Sequence, residues 1–152
     1  MTDTTSLFSL IDSLAGGRVL CIGDVMLDRY TYGEVSRISA EAPIPVCRVI
    51  DEKIMLGGAG NVARNLVAVG AAVDFVTVVG VDAAGDQVRD FFQSLDRIEA
   101  KLIDDETRQT TIKDRFIVGV QQLLRVDRES TKTVNAVIAG KVQNYAERSL
   151  AG

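Results

Sequence analysis

In the stretch Leu56-Gly57-Gly58-Ala59-Gly60-Asn61, three glycines fall within four positions and lead straight into an apolar-periodic segment, Val62, Leu66 and Val69. Such a run has little side chain with which to build a core. Three uses suit it. The glycines can form a tight turn that permits positive φ before a closely packed helix. They can also fit the loose dinucleotide fingerprint G-x-G-x-x-G/A over Gly58–Ala63, with Asp82 about twenty residues on. Lastly, they can let backbone amides approach a polar ligand, with Asn61 at the helix start offering both a donor and an acceptor. The dinucleotide use requires a buried strand directly before the loop, where Asp51-Glu52-Lys53 stands instead.

Periodicity around the loop sets the fold class. Arg18–Gly23 is a compact apolar run ending at Gly-Asp, as in a buried strand that opens on a loop, and Val73–Val81 is a second such run. Between and after them, Val88, Phe91, Phe92 and Leu95 recur at i, i+3, i+4 and i+7, the stripe of a covering helix. Ile98, Ala100 and Leu102 alternate as in a third strand. Strand, helix, strand in that order predicts an α/β domain with a parallel sheet and helices against it. A short first helix is predicted from Leu7, Phe8, Ile11 and Leu14, and a last one from Val134, Ile138, Val142 and Tyr145. No strand follows that last helix, so the parallel sheet is expected to be unfinished.

Residues 30–54 differ in kind. Short β-prone pieces are interrupted by Gly33, Pro43 and Pro45, which predicts a small β flap whose pieces lie at sheet edges. Thr110–Phe116 and Gln121–Val126, separated by Gly119, predict a hairpin with Lys113 and Arg115 on one face.

Composition narrows the chemistry. The 152 residues carry 17 Lys and Arg against 21 Asp and Glu, for a formal charge of −4, with the cations scattered among the acids. A nucleic-acid footprint is not evident, and nucleic acid is not expected as a partner. No apolar run reaches the roughly 18 residues of a membrane span, and the first residues lack the basic start of a signal peptide, so a cytoplasmic protein is expected. Cys21 and Cys47 stand apart and read as buried, inert thiols. The chain has no histidine. His-based nucleophilic schemes and His-ligated metals are thereby excluded, and any general base is expected to be a carboxylate.

Three segments taken together resemble a known family. Val19–Asp28 (VLCIGDVMLD), Gly57–Ala63 (GGAGNVA) and Val79–Asp86 (VGVDAAGD) are similar, in order and spacing, to the ribokinase-like (PfkB) carbohydrate kinases. Within that family, Gly23–Tyr30, Val35–Val46 and Gln121–Asp127 resemble the heptose 7-phosphate kinases, which make a lipopolysaccharide inner-core precursor, often fused to an adenylyltransferase.

The resemblance implies a ribokinase-like fold: a parallel central sheet flanked by helices, with a small β lid at about 30–54. It implies ATP-dependent phosphorylation of D-glycero-D-manno-heptose 7-phosphate at the anomeric hydroxyl, with ATP and Mg²⁺ as cofactors. Asp28 would take sugar hydroxyls, while Gly57, Gly58 and Asn61 would line the sugar pocket. Arg37, Lys113, Arg115 and Arg125 are candidate anchors for the 7-phosphate, since arginine's fork suits a phosphate and lysine is a phosphate binder as a point charge. The lid would close over the sugar and could also form a homodimer interface.

The family's catalytic base follows a glycine-rich anion hole near Gly-Ala-Gly-Asp, a tetrapeptide this chain does not contain. The expectation is therefore an N-terminal portion of the kinase domain over 1–152, with base, anion hole and nucleotide pocket in the missing half. No catalytic residue or metal ligand is assigned here. Two other functions are weighed: a non-catalytic sugar-phosphate-binding or dimerisation module, and a nicotinamide-dependent oxidoreductase resting on Gly58–Ala63.

Overall fold

The computed structural model describes residues 8–10, 13 and 15–151. Of the predicted first helix, Phe8 is helical and exposed, while Leu7, Ile11 and Leu14 lie outside the described residues. Seven strands and three helices follow. They are β1 (Arg18–Ile22), β2 (Val25–Ile38), β3 (Pro45–Gly58), α1 (Ala59–Ala68), β4 (Ala72–Val79), α2 (Ala83–Gln93), β5 (Ile98–Asp104), β6 (Thr111–Val118), β7 (Gln121–Arg128) and α3 (Ala136–Ala151).

The strands form two sheets. The first, in the order β1-β4-β5, is wholly parallel. Its central strand β4 carries Val73, Phe75, Val76 and Val79, all buried, as expected of a strand covered on both faces. The Phe75 ring stacks on Phe92 of α2 at 4.7 Å between centroids, and Val88 completes that contact layer. On the far side Val76 and Ile103 pack with Ile138 of α3. This is the predicted parallel sheet with helices against it.

The second sheet, in the order β3-β2-β6-β7, contains the segment expected as the lid and extends beyond residues 30–54. β2 and β3 each run 14 residues, from Val25 and to Gly58, and the β6–β7 hairpin joins them by pairing β6 parallel to β2. The proline argument holds for β3, an edge strand with Pro45 at its first residue, but β2 is an interior strand. The hairpin forms as predicted, turning at Gly119 with φ 60.

Helix α1 corrects one expectation. The predicted core face of Val62, Leu66 and Val69 is instead split, since Val62 and Val69 are exposed while Gly60 and Ala63 are buried. The helix lies so close to Val25 and Leu56 at its first turn that glycine is needed there, since a Cβ on Gly60 would stand 2.9 Å from Val25 Cγ2, while Leu66 and Val67 pack at the margin of the core. The two thiols are half-buried rather than buried, and both are free. Among the described residues no helix is long and apolar enough to cross a membrane.

Candidate functional site

Side chains alternate along a strand, so Cα partners in register share a face. Asp28 pairs with Met55 on β3 and Lys113 on β6, Lys113 pairs with Asp127 on β7, and two residues along Tyr30 pairs with Arg115, itself opposite Arg125. One face of the lid therefore gathers Asp28, Tyr30, Lys113, Arg115, Arg125 and Asp127.

Asp28 and Arg115 form the centre of this face. Arg115 Nη1 donates to Asp28 Oδ1 at 2.5 Å, both side chains are mostly buried, and the guanidinium lies 5.1 Å from the Tyr30 ring centroid. Burial opposes the Arg115 charge, yet the hydrogen bond and charge of Asp28 prevail and hold its pKa above the ordinary value.

Gly57 explains how Asp28 fits. A Cβ at Gly57 would stand 2.3 Å from Asp28 Oδ2, so the carboxylate rests where a side chain would otherwise be. Gly58 has φ 57 and caps α1 without a side chain, and a Cβ there would meet Asp24 O at 2.5 Å. Asn61 follows in the first turn of α1, exposed and without an internal hydrogen bond. The glycine loop and Asp28 thus meet at one corner, where backbone and a carboxylate lie side by side.

The four candidate anchors separate in space. Lys113 Nζ donates to Asp127 at 2.9 Å and reaches Glu129, and Arg125 Nε donates to the other Asp127 oxygen at 2.9 Å. The Lys113 hydrogen bond holds Asp127 below the usual carboxylate range, and Asp127 in turn raises Lys113. Arg37 is exposed nine residues along β2 from Asp28, about 30 Å at the strand rise. Arg115 is brought to Asp28, Lys113 and Arg125 adjoin it, and Arg37 is not brought to this face's centre. No pattern within one segment ranks them, because the ranking rests on register between β2 and β6.

Asp127 itself was missed as a site residue. Only its pairing with Lys113 and Arg125 across the hairpin reveals it, although it stands at the end of the Gln121–Asp127 segment.

The dinucleotide reading gains one element and loses the rest. A strand does precede Gly58, but it is the lid edge strand β3, antiparallel to β2, not a strand of the parallel sheet. The arrangement on which a pyrophosphate is held is absent here. Among the described residues no three His, Cys, Asp or Glu side chains converge on a metal-sized site.

The architecture is thus a parallel sheet with covering helices, joined to a second sheet in which a long two-stranded ribbon is widened by a hairpin, with a glycine corner holding a carboxylate where they meet. The family profile of the pfkB family carbohydrate kinases matches residues 17–144, and the chain belongs to this family. It is 50% identical over 150 residues to the bifunctional protein HldE of Paramagnetospirillum magneticum, covering 99% of this chain and 31% of that protein. To the HldE of Rhodospirillum rubrum it is 48% identical over 130 residues, covering 86% and 26%. The chain thus spans about a third of the length of these relatives.

Solved structures agree on the fold. Ribokinase from Giardia lamblia superposes with a TM-score of 0.59 at 15% identity, over 84% of this chain and 41% of that one. A carbohydrate kinase from Agrobacterium tumefaciens gives 0.57 at 19%, over 73% and 35%.

Proposed function

We propose that this chain carries the sugar-binding part of a kinase that phosphorylates D-glycero-D-manno-heptose 7-phosphate at its anomeric hydroxyl. The observation that carries the reading is the Asp28 carboxylate seated against Gly57 with Arg115 in contact. A carboxylate accepting hydroxyl hydrogens beside bare backbone suits a polyol, and a partly desolvated guanidinium beside it suits a phosphate.

Arg115 is the phosphate anchor, with Lys113 and Arg125 as support. In the free protein Asp28 and Arg115 neutralise each other. A phosphorylated sugar offers each a better partner: hydroxyls for Asp28 and phosphate oxygens for Arg115. After the exchange Arg115 is paired with the phosphate and Asp28 is hydrogen-bonded by hydroxyls, so neither charged group is left without a polar partner. Kinases of this family use ATP and a divalent metal in general, which supply the phosphoryl group and its charge neutralisation. In this reading the part played by Asp28, Arg115 and the glycine corner is to bind and orient the sugar.

Calorimetric titration with D-glycero-D-manno-heptose 7-phosphate tests the reading, alongside Asp28→Ala and Arg115→Ala, with circular dichroism to confirm folding. Saturable binding lost in both variants supports it. Undiminished binding in the folded variants overturns it.

A second reading rests on a different face. Val35, Val49, Leu124 and Val126 are all exposed on the side of the lid away from Asp28. That apolar face favours a homodimer through the lid, with or without sugar binding, and sedimentation of the chain at rising concentration separates the two.

A further inference from the structure

The segment Val79–Asp86 takes no part in the glycine corner; it runs from the end of β4 into α2 and is held by hydrogen bonds at both Gly80 and Asp82. Asp82 caps α2, with Oδ1 accepting from Gly85 N at 2.8 Å. Its other oxygen reaches across the fold and accepts from Thr110 N at 2.8 Å. Thr110 returns the contact: its Oγ1 accepts from Gly80 N at 2.9 Å. Thr110 is only 3% exposed, and Gly80 passes so close that a Cβ would stand 2.6 Å from Arg108 O. Burial alone would raise the Asp82 pKa, but the amides of Thr110 and Gly85 outweigh it and lower it, so the carboxylate is held ionised.

Thr110 is the residue immediately before β6. The first pair of the β2–β6 ladder is Met26 with Thr111, followed on the same face by Asp28 with Lys113 and Tyr30 with Arg115. A strand has period two, so a slip of one residue would turn Lys113 and Arg115 to the opposite face and bring, in one direction, Ile112 opposite Asp28 and Asp114 opposite Tyr30. Something must fix where β6 begins. The connection from β5 is anchored on the other side by Asp105, whose backbone N bonds Val79 O at 2.9 Å and whose carboxylate accepts from Thr107.

We propose that Asp82 is a positioning residue for phosphate recognition: with Thr110 it fixes the start of β6 and so places Arg115 against Asp28. The proposal rests on the sugar-phosphate reading above. Asparagine at 82 would keep one acceptor but present an amino group to the other N–H, so one of the two amides loses its partner. Thr110→Val removes the acceptor for Gly80 at nearly constant volume, and Thr110→Ser restores it.

The experiment uses the full chain and has two arms. In hydrogen exchange, Asp82→Asn and Thr110→Val are expected to speed exchange of the β6 amides while β1 and β4 keep their protection. In calorimetry, both variants are expected to lose about tenfold or more in affinity for the 7-phosphate sugar, while affinity for the unphosphorylated heptose changes far less. Thr110→Ser is expected to behave as the parent in both arms. Equal loss for both sugars, or unaltered β6 exchange, would overturn the proposal, since a merely structural role predicts no preference for the phosphate. If the parent chain binds neither sugar, the sugar reading fails, and unaltered β6 exchange would still refute the placement of β6 by Asp82.

Discussion

Gly57 and Asp28 are the two residues whose fates are most closely joined. With Oδ2 of the carboxylate 2.3 Å from the place of a Cβ, alanine at 57 must displace Asp28, and it crowds the Met26 side chain at 2.9 Å as well. Gly57→Ala is expected to cost about tenfold or more in sugar-phosphate affinity with little change in helix content, read by calorimetry and circular dichroism. The charged residues add a pH dependence. Asp82 and Asp127 both have pKa values below the usual carboxylate range, Asp82 through the Thr110 and Gly85 amides acting against burial and Asp127 through Lys113 first. A carboxylate lowered on folding stabilises above its unfolded pKa, about 3.9, and that contribution fades as pH falls through the lower folded value. Thermal unfolding between pH 5 and pH 2 is expected to show a falling midpoint, flattened in Asp82→Asn; a parent protein whose midpoint holds constant over that range would contradict the assignment. Lys113 runs the other way, raised by its Asp127 hydrogen bond, so its contribution is present below about 10.4 and lost as pH rises beyond it.

Among the elements, β4 and α2 were the most legible. The β-branched run of β4 and the i, i+3, i+4, i+7 stripe of α2 each follow from burial on a single layer, and Phe75 and Phe92 meet where those patterns cross. Phe92→Ala is expected to destabilise by about 3–5 kcal/mol, the range for deleting a buried aromatic, measured by urea unfolding. Helix α1 was legible in extent but not in orientation. Its valines look like a core face, yet the close approach of Val25 and Leu56 leaves Gly60 and Ala63 as the fully buried residues, so Val62 and Val69 turn outward while Leu66 and Val67 pack at the margin of the core. β2 was misread for a related reason: Gly33 and the nearby prolines mark breaks, but the prolines fall between the long strands and at the start of the edge strand, leaving β2 free to pair on both sides.

For the molecule as a whole, the parallel sheet has β1 at one edge and β5 at the other. At the β1 edge Ile22 is half-exposed, and the strand's one charged residue, Arg18, is drawn to Asp74 and Glu99, which leaves little of the charge or proline that blunts such strands. The chain by itself is expected to self-associate as its concentration rises, and Ile22→Lys to reduce this, both by sedimentation velocity; a sharp monomeric boundary at high concentration would tell against an open edge.

What the sequence by itself determined is local and periodic: which segments are strands or helices of the parallel layer, the hairpin at Gly119, and a corner of glycines too bare to be core. These follow from patterns of two and 3.6 residues that any burial imposes. Only the tertiary structure decided the width of the lid, the exposed side of α1, and the choice of Arg115 over Arg37 as the cation beside Asp28. Each depends on contacts between residues far apart in the chain, with Asp28 and Arg115 separated by 87 positions. Register across β2 and β6 is set by what Thr110 and Asp82 hold in place, and no periodicity within one segment encodes the partner it will meet.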